Sequence, residues 1–143
     1  MSDVLSPQSI VLGGEARTRD EAITEAGLLL VAGGAVDESY VDAMHEREAS
    51  VSTFMGNGLA IPHGTNEAKS LIRRTAISFL RYDQPIDWNG SPARFVVGIA
   101  GAGDDHLTVL QALAGAFTDD AALAALESAR TPDDVLAVLV GRV

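Results

Sequence analysis

The sequence predicts a single α/β domain in which helices flank both faces of a mixed β-sheet. Segments of strand-like and helical apolar periodicity alternate through the whole length, which is the pattern of one layered domain. The 143 residues are near the common size of such a domain, and 47% of them are hydrophobic, enough for a substantial core. No linker, repeat or low-complexity tract divides the chain, so the predicted domain covers residues 1–143.

Capping and turn residues delimit the elements of the first half. Thr18 and Glu21 form a capping-box pattern at the start of one helix, and Asp37 is a suitable cap for the next. The first predicted elements are a strand at 9–12, a helix ended by Gly33-Gly34 and a second helix on which Tyr40, Met44 and Arg47 share a face. Strands at 51–55 and 59–61 follow, separated by the turn Gly56-Asn57-Gly58, and then a helical turn at 67–71.

The second half is predicted to contain the centre of the sheet. Residues 94–100 form a near-continuous apolar run, which is typical of a central strand covered on both faces. Residues 76–82 alternate as a strand, and residues 84–88 are interpreted as a turn followed by an edge strand. Three helices are predicted to follow, one capped by Asp104 or Asp105, one starting at Thr118 and one opening at Thr131-Pro132.

Composition and charge exclude several classes of function. There is no cysteine, which excludes disulfides, zinc–thiolate sites and thiol catalysis. The formal net charge of −10 makes nucleic acid and anionic lipid poor partners and favours a partner with a basic face; solubility alone is the other explanation of this acidity. The N-terminus has no secretory-signal pattern and the longest apolar run is too short to cross a bilayer, so we expect a cytoplasmic protein.

Among the three histidines, His63 and His106 occupy positions suited to chemistry. His63 follows a predicted buried strand and lies between Pro62, which fixes the backbone, and Gly64, which leaves room for a partner to approach. His106 starts a helix after a glycine-rich loop, where free N–H groups favour an anion. Local geometry leaves open that His63 packs in a turn and that His106 is an ordinary first-turn residue. His45 is expected to be a solvated surface residue.

Arg47 is the candidate cation for such an anion. It ends its predicted helix just before a strand, and a guanidinium binds phosphate oxygens in a forked geometry. The alternative is an exposed arginine at a helix C-terminus, where cations are favoured in any case. The P-loop pattern, the HExxH metal motif and the GxSxG elbow are absent, so no nucleotide, metal or other cofactor is expected.

Two segments of the sequence carry a family resemblance. Residues 44–69, MHEREASVSTFMGNGLAIPHGTNEAK, resemble the active-site region of the mannitol/fructose-type (type-2) enzyme IIA components, or EIIA, of the bacterial phosphoenolpyruvate-dependent sugar phosphotransferase system. Residues 95–117, FVVGIAGAGDDHLTVLQALAGAF, resemble a second block of the same family, with a GDxH-like segment at 103–106. The resemblance covers nearly the whole chain, and the mannitol-specific subgroup is the most similar.

The resemblance implies a phosphotransferase with a phosphohistidine intermediate, in which His63 is the phosphorylated nucleophile and Arg47 and His106 flank the phosphate. It implies the small carrier protein HPr as the phospho-donor and a IIB component as the acceptor during sugar uptake, here of mannitol. In the mannitol type that acceptor uses a cysteine. Because this sequence has none, we expect a separate IIB or IIBC polypeptide, with contact to the membrane only through that transporter.

Two other functions fit the same scaffold. A regulatory IIA-like protein of the nitrogen phosphotransferase type would share the fold and the phosphorylated histidine but would control partners by its phosphorylation state. A non-catalytic interaction module would take no phosphate on His63 from any donor. The segments PHGTNEAK and GIAGAGDDH favour the mannitol type over the nitrogen type.

Overall fold

A five-stranded mixed sheet forms the centre of the protein in the computed structural model, which describes residues 4–139 and Arg142. The strand order is β1-β4-β5-β3-β2, with β1–β4 and β3–β5 parallel and the other two pairs antiparallel. The strands are β1 (Ile10–Val11), β2 (Phe54–Gly56), β3 (Leu59–Ala60), β4 (Ala76–Trp88) and β5 (Ser91–Ala100). The predicted mixed sheet is therefore confirmed.

Helices cover both faces of this sheet, as the sequence predicted. They are α1 (Arg19–Ala32), α2 (Ser39–Ser50), α3 (Asp105–Thr118), α4 (Asp120–Ser128) and α5 (Pro132–Leu139), with short 3₁₀ helices at Pro7–Ser9 and Asn66–Leu71. On β5, Val96 packs into a core with α1 and α2, whereas Val97 packs into a second core with α3, α4 and α5. Strand β5 is thus buried on both faces, in agreement with its continuous apolar sequence.

The segment 84–88 does not form a separate edge strand after a turn. It is the distal part of the 13-residue strand β4, which pairs with β5 on both sides of a register shift between Arg81 and Ile86. The prediction was wrong because the exposed residues Asp83, Gln84 and Pro85 fall within that irregularity and resemble a turn in sequence. The true reversal is Asn89-Gly90, where both residues have positive φ, as a tight hairpin requires.

Two of the predicted helix starts are also corrected. The carboxylate of Asp37 does not cap α2 but pairs with Arg73, and Glu38 occupies the capping position without a side-chain bond. Thr118 is the last residue of α3, and α4 is capped by Asp119, whose carboxylate accepts hydrogen bonds from two backbone N–H groups. By contrast, the Thr18 side chain caps α1 as predicted, accepting from Glu21 N.

Within residues 4–139 and Arg142, no single helix is long and apolar enough to cross a membrane. Helices α3 and α4 reach the required length and composition only together, and they are bent by 87° relative to each other.

The contact between α1 and β5 depends on the absence of a side chain at Gly98. A Cβ there would lie 2.6 Å from Ser78 Oγ and 3.1 Å from Ala26 Cβ. Ser78 Oγ itself donates a 2.9 Å hydrogen bond to the Ala26 carbonyl, so neither neighbour is free to move aside.

Gly98→Ala is therefore expected to lower the free energy of unfolding by about 1–3 kcal/mol through overpacking, as measured by urea denaturation. The matched control is Gly115→Ala on the exposed side of α3, where the nearest atom lies 3.9 Å from a built Cβ. That variant is expected to raise the free energy of unfolding by about 0.5–1 kcal/mol, since alanine is the better helix former. A Gly98→Ala protein as stable as the parent would contradict the close approach.

Candidate functional site

His63 lies at the carboxyl end of β3, beside the carboxyl end of β5. It forms an isolated parallel bridge with Ile99, and the Ile99 N–H donates a 3.0 Å hydrogen bond to the Pro62 carbonyl. Because β3 and β5 are parallel, their carboxyl ends meet at one edge of the sheet. The chain that leaves β5 at this edge leads through Gly101 into α3 and so brings His106 to the same place. Sheet topology therefore brings the two histidines together.

A hydrogen bond to the backbone selects the tautomer of His63. Its Nδ1 lies 2.8 Å from the carbonyl oxygen of Ile61. A carbonyl oxygen only accepts hydrogen bonds, so Nδ1 must carry the proton. The lone pair of the neutral ring is consequently on Nε2, which is the nitrogen available as a nucleophile.

Tyr40 holds the segment that carries His63 in place through two hydrogen bonds. Its hydroxyl donates to the Ile99 carbonyl and accepts from the Gly64 N–H, both at 2.9 Å. A Cβ at position 64 would lie 2.6 Å from Tyr40 Cε1, so only glycine allows the ring to approach this closely. Burial raises the pKa of Tyr40, and its hydroxyl stays protonated at neutral pH. The backbone that follows His63 is thus connected to both α2 and β5 through the Tyr40 hydroxyl.

His106 lies in the first turn of α3 and faces His63. The centroids of the two rings are 4.8 Å apart, with the ring planes inclined by 56°. A Cβ on Gly101 would lie 2.6 Å from the Cα of His106, so glycine at this position is what lets the start of α3 lie against the end of β5.

Arg47 completes the group from the last turn of α2. It is half-buried, and its Nη1 donates a 2.7 Å hydrogen bond to the Val51 carbonyl. A second cation, Lys69, reaches the same pocket from the 3₁₀ helix Asn66–Leu71, and its Nζ lies 3.4 Å from the Gly103 carbonyl oxygen. The pocket has a volume of about 430 Å³, and its lining includes Tyr40, Arg47, His63, Gly64, Lys69 and His106. The structure therefore brings together His63, His106 and Arg47, all three of the residues that the sequence singled out.

The surroundings keep the His63 ring neutral. Burial lowers its pKa below the usual value, and the charge of Arg47 lowers the pKa further. The hydrogen bond to Ile61 and the charge of Glu48 act in the opposite direction but do not cancel these effects. A neutral imidazole retains the Nε2 lone pair that a nucleophile needs.

His106 is kept neutral for similar reasons. Burial is the main cause that lowers its pKa, followed by the neighbouring His63 ring. The cations Lys69 and Arg47 act on this pKa in the same direction. The pocket thus holds two neutral imidazoles beside two cations, an arrangement suited to an anionic group that bonds to one ring and is contacted by the other.

Sequence reasoning did not assign Tyr40 and Lys69 to the site. The Tyr40 position was detectable, because its spacing from Arg47 puts both side chains on one face of α2, but nothing in the sequence shows what its hydroxyl contacts. The expectation of a solvated His45 was wrong, since this half-buried side chain has its Nε2 2.8 Å from Thr24 Oγ1. His45 does not line the pocket.

The part of the chain that the structure describes contains no group of three His, Asp or Glu side chains able to hold a metal ion.

Comparison with known proteins gives a consistent match over the whole chain. The family model described as phosphoenolpyruvate-dependent sugar phosphotransferase system, EIIA 2, matches residues 3–141. A mannitol-specific phosphotransferase enzyme IIA component from Halalkalibacterium halodurans is 46% identical over 136 residues, which cover 95% of this chain and 94% of that protein.

Solved structures agree with this match. A chain from the complex of enzyme IIAMTL and phosphorylated enzyme IIBMTL of Escherichia coli superimposes with a TM-score of 0.87 and 36% identity, covering 95% of this chain and 96% of that one. The nitrogen regulatory protein IIA-Ntr of Neisseria meningitidis has a TM-score of 0.84 and 28% identity, covering 97% of this chain and 98% of its own.

The tautomer and the neutral state of His63 can be measured directly. Long-range ¹⁵N–¹H NMR at pH 7 is expected to show a protonated Nδ1 and an unprotonated Nε2. The pKa values of His63 and His106 are expected below those of the same residues in the urea-unfolded chain, because burial disfavours the imidazolium. A majority of the Nε2–H tautomer in the folded protein would contradict the hydrogen bond to Ile61.

Proposed function

The chain belongs to the EIIA 2 family of the phosphoenolpyruvate-dependent sugar phosphotransferase system, and from this premise we propose that His63 is its phosphorylated residue. The chain is a phosphotransferase component that carries a phosphoryl group and passes it to a IIB protein. We propose mannitol as the sugar whose uptake it serves, because its relatives are named mannitol-specific. The observation that carries the assignment of His63 is its backbone-fixed tautomer, which leaves Nε2 free in a pocket with two cations.

The transfer step needs no proton carrier in this geometry. The Nε2 lone pair of His63 attacks the phosphorus of a donor phosphohistidine, the new N–P bond forms, and the breaking N–P bond returns its electron pair to the donor ring. His63 then carries phosphorus on Nε2 and a proton on Nδ1, so the ring bears a positive charge that the Ile61 carbonyl stabilises. In onward transfer a cysteine thiolate of the acceptor attacks the same phosphorus, and the pair returns to Nε2.

Positioning and charge stabilisation supply most of the catalysis in phosphoryl transfer. We assign to Arg47 and His106 the contacts with the phosphoryl oxygens, because both line the pocket and the His106 ring lies 4.8 Å from that of His63. Lys69 adds a second positive charge on the pocket wall. Together these groups offset the negative charge that the pocket must accept.

The surroundings of the pocket suit a protein partner, for which we propose HPr as donor and IIB as acceptor. Val51 and Leu107 are 62% and 64% exposed, although both are large apolar residues. Each directly adjoins a residue of the pocket lining, Ser50 in one case and His106 in the other. Apolar side chains that flank a reactive group are typical of a protein-docking surface, and the net charge of −10 favours partners with a basic face.

The nitrogen-regulatory function is the alternative. Its structural support is nearly as strong, since the TM-score of 0.84 for the Neisseria meningitidis protein is close to the 0.87 of the mannitol-type chain. Sequence favours the mannitol type, with identities of 46% and 36% against 28%.

The assignment of His63 is tested by phosphate mapping. With phosphoenolpyruvate, enzyme I and HPr, the protein is expected to take up one acid-labile phosphate, and His63→Ala is expected to take up none. His45→Ala, which removes a histidine outside the pocket, is the matched control and should label like the parent. Mass spectrometry of peptides prepared at alkaline pH locates the phosphate. Full labelling of the His63→Ala protein would overturn the assignment.

The function of His106 is tested by separating the two transfers. His106→Ala is expected to accept phosphate from HPr but to pass it to IIB more slowly, by a factor on the order of 100, because a group that contacts the phosphoryl oxygens is lost. Rapid-quench measurement of the rate of phosphate loss after mixing with IIB checks this. Onward transfer at the full rate would leave His106 a structural residue only.

A further inference from the structure

Glu48 is a buried carboxylate that the phosphoryl transfer described above does not use. It is next to Arg47 in α2, and the residue is only 3% exposed. Its oxygens accept hydrogen bonds from Thr53 N at 2.9 Å, Thr53 Oγ1 at 2.5 Å and Trp88 Nε1 at 2.9 Å. All three donors are neutral groups. The oxygen of a neutral amide could accept from Thr53 N and Trp88 Nε1 without the large desolvation cost of a buried charge, so the negative charge itself calls for an explanation.

The hydrogen bonds of Glu48 continue in an unbroken series to His63. Glu48 holds the backbone and the hydroxyl of Thr53. The Thr53 carbonyl accepts a 3.1 Å hydrogen bond from the Ile61 N–H. The Ile61 carbonyl, in turn, accepts the 2.8 Å hydrogen bond from His63 Nδ1. The backbone of two residues, Thr53 and Ile61, therefore connects the buried carboxylate to the imidazole ring.

We propose that Glu48 is a positioning residue for His63, which acts through Thr53 and Ile61 to fix the ring and whose negative charge favours the cationic form of that ring. The proposal rests on the function proposed above, since it concerns the same histidine. It assigns to Glu48 no contact with the phosphoryl group.

The fixing effect follows from the series of contacts. With Thr53 held at both its N–H and its hydroxyl, its carbonyl is a fixed point for Ile61. The Ile61 carbonyl is thereby held in the position where it accepts the hydrogen bond from His63 Nδ1. Loss of the carboxylate would leave two buried Thr53 donors unsatisfied and free this segment to shift. The His63 ring would lose the acceptor position that selects its tautomer.

The negative charge of Glu48 favours the cationic form of the His63 ring. A negative charge nearby stabilises the imidazolium, and Glu48 accordingly raises the pKa of His63 against the lowering by burial. Arg47 acts on the same pKa in the opposite direction. The charged and titratable groups around His63, taken from α2, the 3₁₀ helix and α3, are Tyr40, Arg47, Glu48, Glu67, Lys69 and His106.

Glu48→Gln is the variant that separates charge from shape. The glutamine oxygen can accept from Thr53 N and Trp88 Nε1, while its amide can donate to Thr53 Oγ1. The pKa of His63, measured by NMR titration of the full chain, is expected to fall, because the charge that favours the imidazolium is removed.

Glu46→Gln is the matched control, because it removes the same formal charge from an exposed position on the same helix. It is expected to leave the His63 pKa unchanged. If Glu48→Gln shifted the His63 pKa no more than Glu46→Gln does, the proposed charge effect would be overturned.

Glu48→Ala tests the fixing of the ring. Long-range ¹⁵N–¹H NMR is expected to show a mixture of the two neutral His63 tautomers in place of the Nδ1–H form alone. A His63 tautomer unchanged in Glu48→Ala would overturn the positioning role, and if this variant fails to fold, the Glu48→Gln titration decides.

Both NMR readouts need no phospho-donor. A parent protein that took no phosphate on His63 would therefore refute the proposed function and still leave the link between Glu48 and His63 measurable.

Discussion

The hydrogen bond from His63 Nδ1 to the Ile61 carbonyl is the contact on which the chemistry of this site depends. It joins a side chain to a backbone oxygen two residues earlier, so it depends only on the local conformation of Ile61-Pro62-His63. The bond leaves a single nitrogen able to react. In the proposed transfer, it also provides an acceptor for the ring once that nitrogen is substituted and the imidazole becomes cationic. One local contact thus selects the nitrogen that keeps a lone pair and, in the proposed transfer, stabilises the product.

Close approach around this bond is possible because two positions lack a side chain. Gly64 lets the Tyr40 ring reach both sides of the His63 bridge, and Gly101 lets the first turn of α3 lie against the end of β5. Neither glycine requires a positive φ, so their importance lies in space and not in backbone conformation. The segment around His63 is consequently held on both sides, as the proposed transfer between two partners in one geometry requires.

Sequence periodicity predicted the strand whose identity depends on burial, β5, and missed the full length of β4, which depends on pairing with a distant segment. The apolar run of β5 predicted a central strand, because burial on both faces leaves a continuous signal. The continuity of β4 was missed, since its exposed residues 83–85 are held in the strand by pairing with β5 on either side. At the site, His63, His106 and Arg47 were detectable from local context. The contacts of Tyr40 and Glu48 were not, because they are made with residues that are distant in sequence, Ile99 and Trp88.

A carrier must hold its phosphoryl group less tightly than an enzyme holds a transition state, because it has to release the group to the next protein. In the proposed function, the cations Arg47 and Lys69 attract this group. Burial of His63 and His106 keeps both rings uncharged, so they add no further attraction before transfer. In the proposed positioning role, the buried Glu48 does not line the pocket, and its negative charge favours the cationic form of the His63 ring against the effect of burial. Because solvent screens a buried charge little, a single carboxylate can have this effect.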